Sequence, residues 1–319
     1  MIRIAVDAMG GDRAPDEIIK GAVRCADKYE IILVGPSYLR EKLPANVTLV
    51  EASQWIEMDE QPAAALRSKK DSTVLVGMKL VREGRADAFV SAGNSGAVMG
   101  ASLLRLGRIR GISRPAIAIP MPTVQKTPCL ILDAGANVDS SAENLLQFAL
   151  MGSNYYQAVF GEPSPKVGLL NIGEEETKGN QAALAAHKLL AESGLNFIGN
   201  IEGGELTSGN AHVVVCDGFV GNVILKFAEG LAASIFTILK EEVKDRWLSQ
   251  LGMGLARSSL KALARRFDYA EYGGAPLLGV DGVVMISHGK SDARAIVNAV
   301  GSAAACVEKQ VVQKLKEGK

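Results

Sequence analysis

The sequence predicts an α/β/α sandwich around a mostly parallel sheet. Three observations carry that expectation. Short apolar runs alternate with longer helical patterns along the whole chain. Most of the runs are continuously apolar rather than alternating, as strands covered on both faces are. The glycines, 34 in 319 residues against a usual share of about 7%, gather just behind those runs instead of spreading evenly.

Ile2–Val6 reads as the first strand. A helix follows over Pro15–Lys28, its proline suited to a first turn that needs no amide donor. Ile31–Val34 and Val47–Val50 are the next strands, and Pro62 opens a helix over Pro62–Gly84 in the same way. Strand Ala88–Val90 and helix Ser95–Leu106 come next, then strands Ala116–Ile119 and Leu130–Leu132 and helix Ala142–Ala158. Strand Val167–Leu170, helix Lys178–Glu192 and strands Phe197–Ile198 and Val213–Cys216 continue the alternation. A helix over Phe219–Lys244, strand Val283–Ile286 and a helix over Asp292–Leu315 complete it. This alternation places helices on both faces of the sheet. No repeat, low-complexity stretch or flexible linker divides the chain, so residues 1–319 read as one large α/β unit holding an active-site crevice.

Lys244–Phe267 breaks the rhythm. Trp247, Leu248, Leu251, Leu255 and Phe267 recur at mostly helical spacing. Six basic residues (Lys244, Arg246, Arg257, Lys261, Arg265, Arg266) face the single acid Asp245. A basic amphipathic element of this kind docks on a membrane surface or a partner. The alternative is a dimer-interface or core helix with a solvated basic face. Gly252 and Gly254 each weaken a straight helix here by about 1 kcal/mol.

Composition narrows the function. The 35 Lys+Arg balance 35 Asp+Glu, which argues against a general nucleic-acid binder. Aromatics are only 5%, too few for stacking platforms. Cys25, Cys129, Cys216 and Cys306 occur singly and the histidines are His187, His212 and His288, with no zinc or EF-hand spacing, so no metal and no cofactor is expected. The N-terminus enters a strand at once without an apolar leader, and long uncharged runs such as Asn144–Gly161 contain too many polar residues to span a bilayer well. A reduced, cytosolic, soluble protein is expected.

Six polar, glycine-bearing turns follow strands: residues 7–12, 91–96, 133–137, 171–179, 216–222 and 287–292. Ligands of open α/β sheets bind outside the carboxyl ends of the strands. Backbone amides and helix N-termini near Ser95, Phe219 and Ser291 would suit a small anion, above all phosphate. Glycine closing a tight turn explains one or two such loops but not six. There is no GxxxxGK[ST] motif, and Gly252-Met-Gly254-Leu-Ala-Arg257 fails the dinucleotide fingerprint and follows no strand. Gly93-Asn-Ser95-Gly-Ala97 nearly matches the nucleophile elbow of α/β-hydrolases, with Asp217 or Asp281 and then His288 in the appropriate order. Ala97 replaces the second glycine, however, and Ser95 is more simply a helix N-cap.

These loops are also where the chain resembles a known family. DAMGGD (7–12), SAGNSGA (91–97), DAGAN (133–137), NIGEEETKG (171–179), VVVCDGFVGN (213–222), YGGAPLLGVDG (272–282) and SHGKSD (287–292) resemble the PlsX family of bacterial phosphate acyltransferases nearly end to end. Ser95 stands where threonine is usual, and His212 where an acid commonly precedes the valine run. The resemblance implies a Rossmann-like fold similar to isocitrate/isopropylmalate dehydrogenases and phosphotransacetylases. It implies a homodimer, peripheral membrane association through Lys244–Phe267, and transfer of a fatty acyl group from acyl-acyl carrier protein to inorganic phosphate for phospholipid synthesis.

Phosphate is already a nucleophile near neutral pH, so such a reaction needs placement and oxyanion stabilisation more than a triad. Lys178, in a glycine-rich turn at a helix start, is a candidate to neutralise phosphate, or else a surface lysine after Glu174–Glu176. Asn94 and Asn222 are either amide donors to phosphate or the oxyanion, or turn formers. His288 is either an acid for the leaving thiolate, a donor to phosphate, or structural. Gly93, Asn94, Ser95, Gly218, Gly221, Lys290 and Ser291 are expected to line the phosphate and substrate site. Asp7, Asp133 and Asp217 are expected to orient loops, since bare carboxylates repel phosphate. Carrier protein is acidic, which makes Arg105–Arg114, Arg67–Lys70 and Arg265–Arg266 candidate docking patches. A non-enzymatic membrane scaffold is the remaining alternative.

Overall fold

The computed structural model describes residues 1–125, 127–266, 268, 271 and 273–318. Its strands are β1 (Arg3–Asp7), β2 (Glu30–Gly35), β3 (Val47–Glu51), β4 (Ala88–Ser91), β5 (Ala116–Met121), β6 (Cys129–Leu132), β7 (Val167–Asn171), β8 (Phe197–Glu202), β9 (Val213–Val215), β10 (Ala275–Leu278) and β11 (Val283–Ile286). They join in one sheet of order β3-β2-β1-β4-β11-β10-β5-β6-β9-β7-β8. Among the described residues seven of the ten pairings are parallel, as the sequence predicts. The three antiparallel ones, β11–β10, β10–β5 and β5–β6, form a central seam. Across it the two parallel halves run in opposite directions.

The helices are α1 (Asp16–Val23), α2 (Pro62–Ser68), α3 (Thr73–Arg82), α4 (Ser95–Arg105), α5 (Ala142–Phe160), α6 (Gln181–Ala191), α7 (Gly218–Lys244), α8 (Trp247–Leu255), α9 (Arg257–Arg266), α10 (Ala293–Glu308) and α11 (Val311–Glu317). Successive side chains of a strand face opposite sides. Ile4 and Val6 of β1 therefore join one core with α1, α5, α6, α10 and α11, while Ala5 joins the other with α2, α3 and α4. On that second face α7 covers the other half-sheet, through Ile224 and Ala228 on Met121, Cys129, Val214 and Cys216. Between the α2–α4 group and α7, the seam strands are left partly uncovered. That gap is the cleft.

Two expected helices are each broken in two, at Lys69–Ser72 and Lys309–Gln310. The strand β10 was not expected, because a run holding Pro276 between glycines reads as a turn; only its long-range partners β5 and β11 make it a strand. Lys244–Phe267 forms α8 and α9 rather than one helix, and Phe267 lies outside the described residues, as does Tyr272 of the 272–282 motif. Trp247, Leu248, Leu251 and Leu255 are exposed. So are Phe219, Val223, Phe227, Leu231, Ile235 and Ile238 on α7. At 27 residues α7 is long and apolar enough to cross a membrane, contrary to the expectation of no such segment. Its first turns are nevertheless built into the cleft.

Candidate active site

Two buried aspartates shape the loops around the cleft. Asp7 Oδ2 accepts a hydrogen bond from Ser91 Oγ at 2.7 Å, and Ser91 Oγ accepts one from Gly93 N at 3.0 Å. This chain ties loop 7–12 to loop 91–96. The two loops touch so closely that a Cβ on Gly10 would lie 2.7 Å from Gly93 N. Asp133 does the same on the other side of the seam. Its Oδ1 accepts from Ile117 N and Ala136 N, both at 3.0 Å, and its Oδ2 accepts from Asn137 N at 2.6 Å and Asn137 Nδ2 at 2.9 Å. Burial pushes both carboxyls above the ordinary aspartate range, and these donors oppose that rise. Asp217 caps α7 by accepting from Val220 N at 2.8 Å. All three expected loop-orienting aspartates have that geometry.

The cleft encloses about 370 Å³. One wall comes from loops behind β1, β4 and β11, and carries Asp12, Gly93, Ser95, Ser287, His288 and Gly289. The facing wall is α7. At 100° per residue, Asn222, Lys226 and Glu229 form one stripe of that helix, while Leu225, Ala228 and Ala232 form the adjacent one. The floor is the partly covered seam: Ile117, Ile119 and Met121 of β5, Ala275 of β10 and Ile286 of β11. A polar rim thus stands over an apolar floor.

Of the expected site residues, the structure brings Gly93, Ser95, Asn222 and His288 to the cleft. Asn94 is engaged elsewhere. Its Nδ2 donates to Met58 O at 3.1 Å and Glu60 O at 3.0 Å, and its Oδ1 accepts from Ala97 N, so Asn94 and not Ser95 is the N-cap of α4. Gly218 and Gly221 let α7 pack on loop 133–137: a Cβ at 218 would lie 2.6 Å from Asn137 O, and one at 221 would collide with the Asp133 carbonyl. Lys290 is exposed and Ser291 is buried with its Oγ unpartnered; neither is among the cleft-lining residues. Lys178 is the larger departure. Its loop follows β7, next to the sheet's edge, and the side chain stands 4.0 Å from Glu175, outside the cleft. The expectation of six converging loops failed there because it ignored strand position.

Lys226 was missed. It lines the cleft one turn beyond Asn222 and pairs with Glu229 at 2.9 Å. Asn222-Val-Ile-Leu-Lys226 has the i, i+4 spacing that puts both on one helix face, which was the available signal. Burial, and then the Lys226 charge, hold His288 below the ordinary histidine range, with Lys290 adding to the effect and Glu229 and Asp12 opposing it. His288 Nδ1 accepts from Lys290 N at 3.1 Å, which leaves Nε2 as the protonated nitrogen of the neutral ring. A catalytic-triad histidine would instead donate from Nδ1 to its aspartate. Asp217 is a helix cap, and Asp281 pairs with Lys316 at 2.6 Å. The Ser95 triad is not assembled.

The other polar candidates are structural. His212 Nδ1 accepts from Lys166 N at 3.0 Å and its ring stacks on Tyr156. Cys216 is buried and its thiol is pushed far up by burial, which removes it as a nucleophile. Arg105 lies about 15 Å along α4 from Ser95, so the Arg105–Arg114 patch is at the far end of that helix from the cleft. Arg266 is close: its guanidinium donates to Thr123 O at 2.7 Å and Gln125 O at 2.9 Å, just past Pro122 on the cleft lip.

The fold is that of the phosphotransacetylases. A phosphotransacetylase from Streptococcus pyogenes superposes with a TM-score of 0.65 at 18% identity, covering 98% of this chain and 94% of that one. A branched-chain phosphotransacylase from Enterococcus faecalis V583 gives 0.60 at 14% identity, over 96% and 99%. A 4-hydroxythreonine-4-phosphate dehydrogenase from Klebsiella pneumoniae gives 0.58 at 12% identity, over 96% and 100%. Sequence narrows the class. Residues 2–314 match the family described as Fatty acid synthesis protein. Phosphate acyltransferases from Desulfitobacterium hafniense (strain DSM 10664 / DCB-2) and Heliobacterium modesticaldum are 53% and 52% identical, each over 99% of this chain and 97% of the relative. The chain belongs to the phosphate acyltransferase family.

Proposed function

We propose that this chain transfers a fatty acyl group from acyl-acyl carrier protein to inorganic phosphate. The observation that carries the reading is the cleft itself, where Ser95, Asn222, Lys226 and His288 line one polar rim. A hydrogen phosphate dianion held beside Lys226 attacks the thioester carbonyl: a C–O bond forms, the C–S bond breaks, and the departing thiolate takes the proton that the acylated phosphate gives up. Neutral His288, with Nε2–H, donates to phosphate or to the tetrahedral oxyanion; Asn222 and Ser95 supply further donors. Positioning provides about 7–11 kcal/mol of barrier reduction, and one well-aimed oxyanion donor about 3–4 kcal/mol. Lys178 takes no part within one chain.

The same reading includes a homodimer, formed over the exposed apolar face of α7, and a cytoplasmic enzyme held peripherally on the membrane by α8 and α9. Carrier docking falls to the basic end of α9 near the cleft lip, so added salt raises the KM for the carrier substrate. The test is phosphate-dependent loss of acyl-acyl carrier protein with hydroxylamine trapping of the product. Acyl hydroxamate formed only with phosphate is the expected result. Thioester loss without phosphate means a hydrolase, and no turnover in either condition means a scaffold.

A further inference from the structure

The floor of the cleft is more apolar than phosphate chemistry requires. We propose that the channel between β5 and the Leu225–Ala228–Ala232 stripe of α7 holds the acyl chain, and that Ala228 and Ala232 set the chain length it accepts. This rests on the acyl-transfer reading above.

Three observations converge. Along β5 the channel is lined from Ile117 to Pro122, a run of roughly 17 Å at strand rise, with Ile117, Ile119 and Met121 on one face. An internal strand of an α/β sheet is normally covered on both faces, and here the seam's second face is covered only in part. The opposite wall is Leu225 followed by the small Ala228 and Ala232 of α7. On the other side of the same helix stand Val223, Phe227 and Leu231, so the large exposed apolar side chains of these turns face away from the Ala228 and Ala232 stripe. Finally, the polar and apolar stripes of α7 lie side by side. A thioester carbonyl held at Asn222 and Lys226 would send its chain along Leu225 and Ala228 toward Ala232, which among the lining residues of α7 is farthest from Asn222, about 15 Å along the axis. Beyond Ala232 and Pro122, Arg266 ties down the carbonyls of Thr123 and Gln125. The loop that follows Pro122 is therefore braced.

The test compares Ala228→Phe and Ala232→Phe with the parent protein on butyryl- and hexadecanoyl-acyl carrier protein. The expected result is a fall of at least about tenfold in the ratio of kcat/KM for the long over the short donor, as a filled apolar pocket gives. An unchanged ratio in both variants overturns the assignment. Binding of butyl and dodecyl phosphonate by calorimetry gives a readout free of turnover. The parent should bind the dodecyl compound more tightly, and both variants should lose that preference. If the parent shows no phosphate-dependent turnover yet keeps the dodecyl preference, the transfer reading fails and the channel stands. If it turns over without any dodecyl preference, the channel fails and the transfer reading stands. Thermal melting of each variant, with the butyl compound bound, separates loss of the channel from loss of the fold.

Discussion

Lys226 is the cation that the cleft offers an anion, and it sits inside a helix rather than in a glycine turn. A charge-assisted hydrogen bond contributes about 1.5–3 kcal/mol, so Lys226→Ala should lower kcat/KM for phosphate by roughly ten- to a hundredfold. Lys178→Ala, a change on the surface, should alter it by less than about twofold. Steady-state kinetics at varied phosphate distinguishes them. His288 makes a pH prediction. Its ring titrates normally in the unfolded chain, at about 6.5, and lower in the fold, so the unfolded chain binds the extra proton first. Stability therefore falls as pH drops from that ordinary value through the folded one, and His288→Gln should remove part of the fall in denaturant titrations between pH 7 and 5. The thiols respond oppositely. Burial pushes Cys129 up to about 12 and Cys306 to about 11, so iodoacetamide at pH 8 should leave both unmodified until the protein is denatured. Ser95, Asn222 and His288 were legible because each lies in a polar, glycine-bearing segment shortly after a strand. Lys226 was not, because turn chemistry draws attention to loops and a helical lysine gives none of its signals.

At the scale of elements, α7 carries the most. Its channel side carries Ala228 and Ala232, its outer side Val223, Phe227 and Leu231, and its first turn must slide beneath loop 133–137. Gly221→Ala brings a methyl into the Asp133 carbonyl, where neither backbone can yield without moving the network around that carboxylate. Overpacking of this kind destabilises by about 1–3 kcal/mol, and the loss should appear in urea melts together with weaker phosphate binding. Most strands were legible because continuous apolar runs are unambiguous when helices separate them. β10 was hidden because Pro276 and its flanking glycines carry turn chemistry, and pairing with strands more than 150 residues away in β5 overrides it. The break at Lys69–Ser72 was hidden for a related reason: Thr73 N donates to Gln54 O at 2.9 Å, a tertiary contact that no local pattern records.

For the whole molecule, the proposed dimer would cover the exposed row Val223, Phe227 and Leu231. Phe227→Glu with Leu231→Glu should convert a dimer to monomers in sedimentation velocity. Full retention of the dimer would place the interface elsewhere. The overall class of fold was plain from the alternation of patterns, whereas the reversal of strand direction was not, since antiparallel and parallel neighbours share the same apolar runs. That reversal changed the cleft from a crevice at one edge of the sheet into a trough over its middle.

The path of the chain through the sheet also governs how the protein is made. β4 ends at Ser91, and its neighbour β11 begins only at Val283. At about 5–20 residues per second the ribosome needs roughly 10–40 s to supply that neighbour. During this interval the amino-terminal half-sheet exists with the short apolar strand β4 unpaired along one border. A nascent chain of this architecture stays an open-sided body until β10 and β11 emerge to close the seam.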